Sequence, residues 1–452
     1  MTSDDLAFLR KFFLELKDTA LEPGDHRYVD VFRGVDDPIA LLTRGINFSP
    51  GQSVQLFSGF TGTGKSTQLL RLRRDLEKQG YVVLYVDIED YLNLSTPVDI
   101  SDFLMCLAGA VGDQLEKQEL STKSSYWQQL QGFFHEHSIE LAEFNLGGKG
   151  GLPGAEGSVG LKLKFKRDPS FRAQLQKRME GHLTALVDQV NTYLKDCLTS
   201  IRGHYDEPNK EVVLLVDSIE HIRGTLTNAH EVQSSVEHIF SVQHEKLHLP
   251  YFHVVYTVHP YLRFRLPALN AYFDSSVYTL PMIKVHDRDG NSAERGINIL
   301  REIVAARGDW TRLLGTDHTH LERIIELSGG YLRDLFGILS DLVKRAQSLP
   351  VSDHVLDEAI QQRRREYLPI AEDDVRWLAK IAEHHKAGYA TNNDLPRFAH
   401  FLEQSLVFCY QNGEEWFDVH PLIRDYVKSE AKRLLDDQAA VPAHHRNRDS
   451  ND

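Results

Sequence analysis

Residues Gly59 to Thr67 read GFTGTGKST, and Gly59 to Ser66 fit the spacing G-x-x-x-x-G-K-[ST]. Gly59, Gly62 and Gly64 allow a backbone bend that turns successive N–H groups toward one point, the arrangement that phosphate oxygens require. Lys65 is placed to reach β- and γ-phosphates, and the Ser66 hydroxyl to join a Mg²⁺ shell. Thr61, Thr63 and Thr67 complete the loop. The pattern constrains the fold because it operates between a strand and a helix. SVQLFSG (53–59) reads as that strand. STQLLRLRRDLEKQG (66–80) carries Leu69, Leu70, Leu72 and Leu76 near helical spacing, with Gly80 as its stop.

Three further apolar runs follow: YVVLYVDIED (81–90), EVVLLVDSIEHI (211–222) and YFHVVYTVHP (251–260); SSVYTLPMIKV (275–285) reads as a fourth strand. Uninterrupted apolar strands separated by helical stretches predict an α/β fold, a parallel sheet covered by helices on both faces. Its C-terminal edge would carry the chemistry. Phe8, Leu9, Phe12, Phe13 and Leu16 form a stripe on an N-terminal helical arm. The pattern from 292 to about 365 is wholly helical. Residues 371–430 form a mixed unit ending in two β-rich runs around Asn412-Gly413, which predicts helices followed by a hairpin, a winged helix. Between 146 and 160 the chain is Gly-rich. LKLKFKR (161–167) alternates as a half-exposed strand would, and one long helix is expected over 170–200. The tail after about Gln438 reads as disordered.

At 452 residues the chain is long enough for two or three domains. No apolar run is long enough to span a membrane and the N-terminus lacks a secretory h-region, so a cytoplasmic protein is expected. Its 3 cysteines (Cys106, Cys197, Cys409) lack metal-ligand spacing and read as buried thiols in a reducing compartment. His135 and His137 have no third ligand nearby. The net charge of −14 argues against a broad nucleic-acid surface.

Hydrolysis of a phosphoanhydride needs a carboxylate to hold the metal, a group to orient water, and positive charge for the transition state. Asp217, closing VVLLVD, reads as the metal carboxylate beside Ser66; the alternative is a helix-capping Asp. The water-orienting acid is either Glu220 or Glu89, each equally a surface ion-pair partner. Thr257 ends the third apolar run and reads as a γ-phosphate sensor. Arg263 or Arg265 reads as an arginine finger toward a neighbouring subunit, or as a surface arginine.

The order of these parts resembles the AAA+ and STAND branch of P-loop ATPases. FRGVDDPIALL is similar to the segment that precedes the phosphate loop in initiator-type AAA+ proteins and cups adenine, which implies Phe32 and Arg33 at the base. LLVDSIEHI stands where Walker B stands, VVYTVHP where sensor 1 stands. LSGGYLRDLFGILSDLVKRA (327–346) is similar to the lid segment carrying sensor 2, which implies a γ-phosphate contact from Arg333. Two departures are visible: Ser218 replaces the usual second Walker B acid, and 143–200 is an insertion. The resemblance implies ATP and Mg²⁺ as ligands. The implied layout is an N-terminal arm (1–30), an ATPase core (31–290), a helical lid (291–368), a winged helix (369–435) and a tail (436–452).

Three functions compete. The first is an ATP-driven switch, slow in hydrolysis, that forms homo-oligomers or remodels a protein partner; the overall look also suggests the ATPases of bacterial antiphage loci. The second is a DNA-binding initiator or loader. Charge disfavours it, since acids outnumber bases eleven to six from 371 to 430 and a recognition helix near 392–404 offers Arg397 alone. Lys162, Lys164, Lys166, Arg167 and Arg363 to Arg365 are its remaining basic candidates. A small-molecule kinase, the third, would not need the lid and winged helix.

Overall fold

The computed structural model describes residues 1–32, 37–120, 125–139, 155–225, 227–388, 391, 394–411 and 414–440. The chain forms two compact units, one from 34–61 with 65–280, the other from 1–33 with 62–64 and 281–452.

The first unit is built on five strands: β1 Ser53–Gly59, β2 Val82–Asp87, β3 Val212–Asp217, β4 Phe252–Val258 and β5 Tyr278–Leu280. They pair in the order β2-β3-β4-β1-β5, all parallel. Every residue of β1, β3 and β4 is buried, which is why these runs are apolar throughout rather than alternating. Because the strands run the same way, Gly59, Asp87, Asp217 and Val258 finish along one edge. The strand expected over 275–285 is reduced to three residues. Pro281, which has no N–H to give to a ladder, follows it directly.

Helix Lys65–Glu77 buries Leu69, Leu72 and Leu76. Helix Pro38–Phe48 starts where the Asp37 carboxylate accepts the Ile39 N–H at 2.9 Å, with Pro38 in its first turn. Farther along, the unit carries helices Ile100–Lys117, Tyr126–Glu136, Ala155–Arg167, Pro169–Met179 and Leu183–Tyr205.

Two sequence expectations fail in this stretch. LKLKFKR is the end of helix Ala155–Arg167, not a strand: Leu161 and Phe165 are buried at i and i+4, while Leu163 is 43% exposed. A strand would have put all three on one face. The Gly-rich segment was expected to be a loop to 160, but the helix already covers 155–160, and 146–154 lie outside the described residues. The single helix over 170–200 is two helices, broken at Gly181, whose φ of +93° an L side chain would resist.

In the second unit, helices Glu294–Ala305, Trp310–Leu314, Thr319–Ser328, Leu332–Arg345 and Asp353–Arg365 share a core that includes Leu300, Ile325, Leu339 and Leu356. Helix Ser3–Glu15 contributes Leu9 and Phe12 to that core, joined by Leu16 just beyond it. Helices Glu372–His384 and Leu395–Glu403 then precede an antiparallel pair, β6 Val407–Tyr410 and β7 Trp416–Val419, and helix Pro421–Ala440 closes the description. Tyr410 and Trp416 are register partners whose rings stack at 4.4 Å, so these aromatics pack the hairpin on itself. The Asn412-Gly413 turn and residues 441–452 lie outside the described residues.

A buried polar node holds this unit together. Asp334, with no exposed surface, accepts from Arg363 Nε at 2.9 Å and Tyr367 Oη at 2.8 Å, and its Oδ2 lies 2.8 Å from His420 Nε2. Arg363 also reaches the Arg333 carbonyl at 3.3 Å. Three side chains, Arg363, Tyr367 and the distant His420, meet on one carboxylate.

The start of helix Leu332–Arg345 depends on Gly330. Its φ is +83°, and an added Cβ would fall 1.7 Å from the Ile283 carbonyl oxygen. Gly330→Ala is therefore expected to destabilise this unit by about 2–4 kcal/mol, from left-handed strain plus a displaced backbone. Chemical denaturation of the variant checks it; a loss under half a kcal/mol would contradict the packing described.

Candidate functional site at the sheet edge

The site starts where β1 runs into helix Lys65–Glu77. Gly62 and Gly64 adopt φ of +81° and +95°, as the bent loop requires. Gly59 sits so close to its surroundings that a Cβ would meet Leu280 Cβ at 3.0 Å and Lys65 Cγ at 3.1 Å. Lys65 is buried, and its Nζ donates to Gly59 O at 2.9 Å and Phe60 O at 3.0 Å while pairing with Glu220 Oε1 at 2.9 Å. All three ammonium protons have an acceptor.

Asp217, at the end of β3, is buried as well. Tyr85 Oη donates to its Oδ2 at 2.5 Å, the Ser218 N–H to its Oδ1 at 2.8 Å, and the Ser66 hydroxyl also bonds to it. Burial, then the neighbouring Glu220 charge, pushes the Asp217 carboxyl above the usual range. The sequence-predicted pair Ser66 and Asp217 thus meets, and β2 adds Tyr85 to it.

Ser218 turns the chain with a φ of +69°. That turn carries Glu220 back under the phosphate loop. Burial would raise the Glu220 carboxyl, but Lys65 above all, with His221 and the Thr257 hydroxyl, holds it ionised and below the ordinary value. Thr257 has no exposed surface, and its Oγ1 also accepts the Ile219 N–H at 3.2 Å. The two acids left open by the sequence are placed very differently. Glu220 is buried against Lys65; Glu89 has a side chain 54% exposed and lies 3.5 Å from His221 Nδ1.

Three residues of this site carried no sequence signal besides Tyr85: His221, Arg223 and His259. His259 is buried at the end of β4, where its Nδ1 accepts the Tyr261 N–H at 3.2 Å. Burial, then the charges of Arg223 and Lys65, drives its imidazole well below the usual value, so it is neutral. Arg223 donates from Nε to the Glu220 carbonyl at 3.1 Å and from Nη2 to the Thr61 hydroxyl. The one available hint was alternation: Tyr85 lies two residues before Asp87 and shares its side of the strand.

Of the other predicted site residues, Arg263 and Arg265 are engaged elsewhere in their own unit, while the Arg333 side chain lies against Gly62 of the phosphate loop, where an added Cβ would meet its Nε at 2.9 Å. Arg265 is paired with Glu237 at 2.7 and 2.9 Å, while Arg263 packs its guanidinium 4.5 Å over the Phe264 ring. Phe32 is buried, and Arg33 is not among the described residues. Arg333 stands at the start of its helix, with Nε 3.3 Å from Asp18.

The basic residues considered for nucleic acid are largely engaged within their own units. Lys162 pairs with Asp113 at 2.6 Å, Lys166 with Asp90 at 3.6 Å, Arg363 with Asp334, and Arg397 with Asp374. The Arg364 guanidinium reaches the Leu422 carbonyl at 2.6 Å. His137 packs its ring 4.3 Å from Phe133. Among the described residues no cluster of potential metal ligands occurs and no helix is long and apolar enough to cross a membrane. All 3 cysteines are buried and unbridged.

No protein-family model matches the sequence, and no curated protein does. Solved structures similar to the chain include the Aeropyrum pernix ORC2 protein in ADPNP–ADP complexes, at 15% identity and a TM-score of 0.42, over 94% of this chain and 98% of that one. Another is the Walker-type ATPase PABY2304 of Pyrococcus abyssi, at 12% identity and a TM-score of 0.41, over 92% and 99%. A third is CDC6P from Pyrobaculum aerophilum, at 13% identity and a TM-score of 0.35, over 89% and 93%. At such distances the assignment of the core rests on the molecule itself: a parallel sheet in the order β2-β3-β4-β1-β5, with a phosphate loop leaving β1 and a carboxylate ending β3, is the AAA+-like P-loop fold.

Proposed function

We propose that this chain binds ATP with Mg²⁺ in the loop 59–67 and hydrolyses it, using the nucleotide state as a switch. The observation that carries this reading is the buried constellation of Lys65 and Glu220 beside Ser66 and Asp217 on one edge of the sheet. The residues fit the ligand: the bend at Gly62 and Gly64 suits phosphate oxygens, and the Ser66 hydroxyl and Asp217 carboxylate already meet. Mg²⁺, held by those two, would supply positive charge to the phosphate oxygens.

The chain's own groups then divide the work. Lys65 exchanges Glu220 for the β- and γ-phosphates. Glu220, released from the ammonium, takes a proton from the attacking water as the water oxygen bonds to the γ-phosphorus. The bond to the β-phosphate oxygen breaks, and its electron pair leaves with ADP. Thr257 orients Glu220 and the water. Glu89, more than half exposed, is assigned no part in the step. Tyr85 fixes the metal carboxylate. Arg333, on the segment similar to an AAA+ lid, is assigned the γ-phosphate contact that the resemblance implies, with 291–368 as lid and 369–435 as a winged helix that meets protein. Homo-oligomerisation, with Arg263 as the finger, belongs to the same reading.

Lys65→Ala removes a charge-assisted phosphate contact and is expected to weaken ATP binding by roughly 10- to 100-fold. Titration with a fluorescent ATP analogue checks this. Mass photometry with ADP, with ATP, and with ATP on Lys65→Ala, each with and without DNA, tests the switch. ATP-dependent assembly without DNA, absent in Lys65→Ala, supports it. Assembly that needs DNA would replace it with the initiator reading.

A further inference from the structure

Arg223 is the residue of this site that neither the phosphate loop nor the strand ends explain. Its backbone is tied down: its own N–H and that of Gly224 both donate to the Leu94 carbonyl, at 3.1 and 3.3 Å. Gly224 has a φ of +74°, and a Cβ there would meet Asn228 Oδ1 at 2.8 Å, so the turn is tightly determined. From this fixed point the guanidinium runs to two places at once. One N–H goes to the Glu220 carbonyl, and another to the Thr61 hydroxyl inside the phosphate loop. It therefore spans the stretch that carries the water-orienting acid and the loop that cradles phosphate. Its charge and that of Lys65 both act on the buried His259 imidazole.

We propose that Arg223 is a catalytic arginine acting within its own subunit, donating to the γ-phosphate and stabilising the charge that develops as the phosphoryl group transfers. The inference rests on the ATP-hydrolysis reading above. Moving the Nη2 proton from a neutral hydroxyl to a phosphate oxygen puts opposite charges on both sides of the bond, the short and strong guanidinium–phosphate kind. The anchored turn means that little reorganisation accompanies that move.

The test combines Arg223→Ala, Arg223→Lys and mixing with Lys65→Ala, measured on the full chain. Expected is a fall in kcat of about 10²-fold or more for Arg223→Ala. ADP affinity should change less than about 3-fold, since ADP lacks the group being contacted. Binding of ADP with aluminium fluoride, which mimics the transferring phosphoryl, should weaken along with kcat. Arg223→Lys keeps the stem and the charge but loses the planar fork; it should fold as wild type and remain slow. Mixing Arg223→Ala with Lys65→Ala subunits should restore nothing, because each variant lacks a group of its own site.

Restored activity in the mixture would overturn the within-subunit assignment, and kcat above half of wild type in both Arg223 variants would overturn the catalytic role. Equal losses of ADP and ADP–aluminium fluoride binding would also overturn it, showing a brace on Thr61 instead. Wild-type protein that binds no ATP overturns the underlying reading, which a change confined to the Arg223 variants does not.

Discussion

Glu220→Gln is expected to slow ATP hydrolysis by roughly 10²- to 10⁴-fold, the range for removing a positioned general base. ATP affinity should hold or rise. An amide cannot take the proton from water, which gives the first effect. The second follows from the ground state. Glu220 Oε1 stands 2.9 Å from Lys65 Nζ, both side chains 3% exposed, so ATP must displace a buried ion pair to engage Lys65. Gln removes that competitor. It also leaves the ammonium without its counter-charge, so the nucleotide-free variant should melt earlier than wild type and gain more on adding ATP. Single-turnover hydrolysis, a binding titration and thermal melts with and without ATP read the three effects. Glu89→Gln is the control, expected to stay within about 2-fold, as exposed charges that touch no reacting group do. If Glu89→Gln were the slow variant and Glu220→Gln the active one, the assignment of roles would be reversed.

Asp334→Ala is the second large expectation, and it concerns stability. The Asp334 carboxylate is fully buried beneath Arg363, Tyr367 and His420. Truncating it strands the Arg363 charge and two polar side chains in the interior, and breaking a buried pair from one side costs about 3–5 kcal/mol. For a unit of this size that is roughly a 10 °C drop in its melting transition. Burial would raise the Asp334 carboxyl, but His420 and Arg363 hold it below its ordinary value. A carboxyl lowered by folding contributes stability above its unfolded value, here 3.8, and that contribution is lost as pH falls through the lower folded one. The stability gap between wild type and Asp334→Ala should therefore be full at pH 6 and narrow below pH 3.8. Calorimetry at several pH values measures both; a variant that melts with wild type at pH 6 would remove the node from the account.

Much of the core was legible because parallel strands buried on both faces leave a plain mark. VVLLVD and FHVVYTV could hardly stand at a surface, and the phosphate loop fixed which strand they gather around. What the sequence hid has physical causes. LKLKFKR satisfies a strand and a helix equally until the exposure of Leu163 decides between them. Glu89 and Glu220 follow similar apolar runs, and linear spacing does not show that the left-handed turn at Ser218 sends one of them under Lys65. Tyr85 looked like strand filling because its hydroxyl finds Asp217 across a neighbouring strand. Arg223 owes its place to a pairing with Leu94, more than a hundred positions earlier. Asp334, on a charged helix, reads as surface until His420 and Arg363 are seen to close over it.

Helix Ser3–Glu15 lends its apolar stripe to a core otherwise drawn from residues 285–422. During synthesis that helix therefore emerges long before its partners. At roughly 5–20 residues per second, Leu9, Phe12 and Leu16 wait on the order of tens of seconds with nothing native to cover them. Meanwhile the sheet unit between them can fold. The order of assembly is thus nested, with the middle of the chain maturing first and its two flanks closing last.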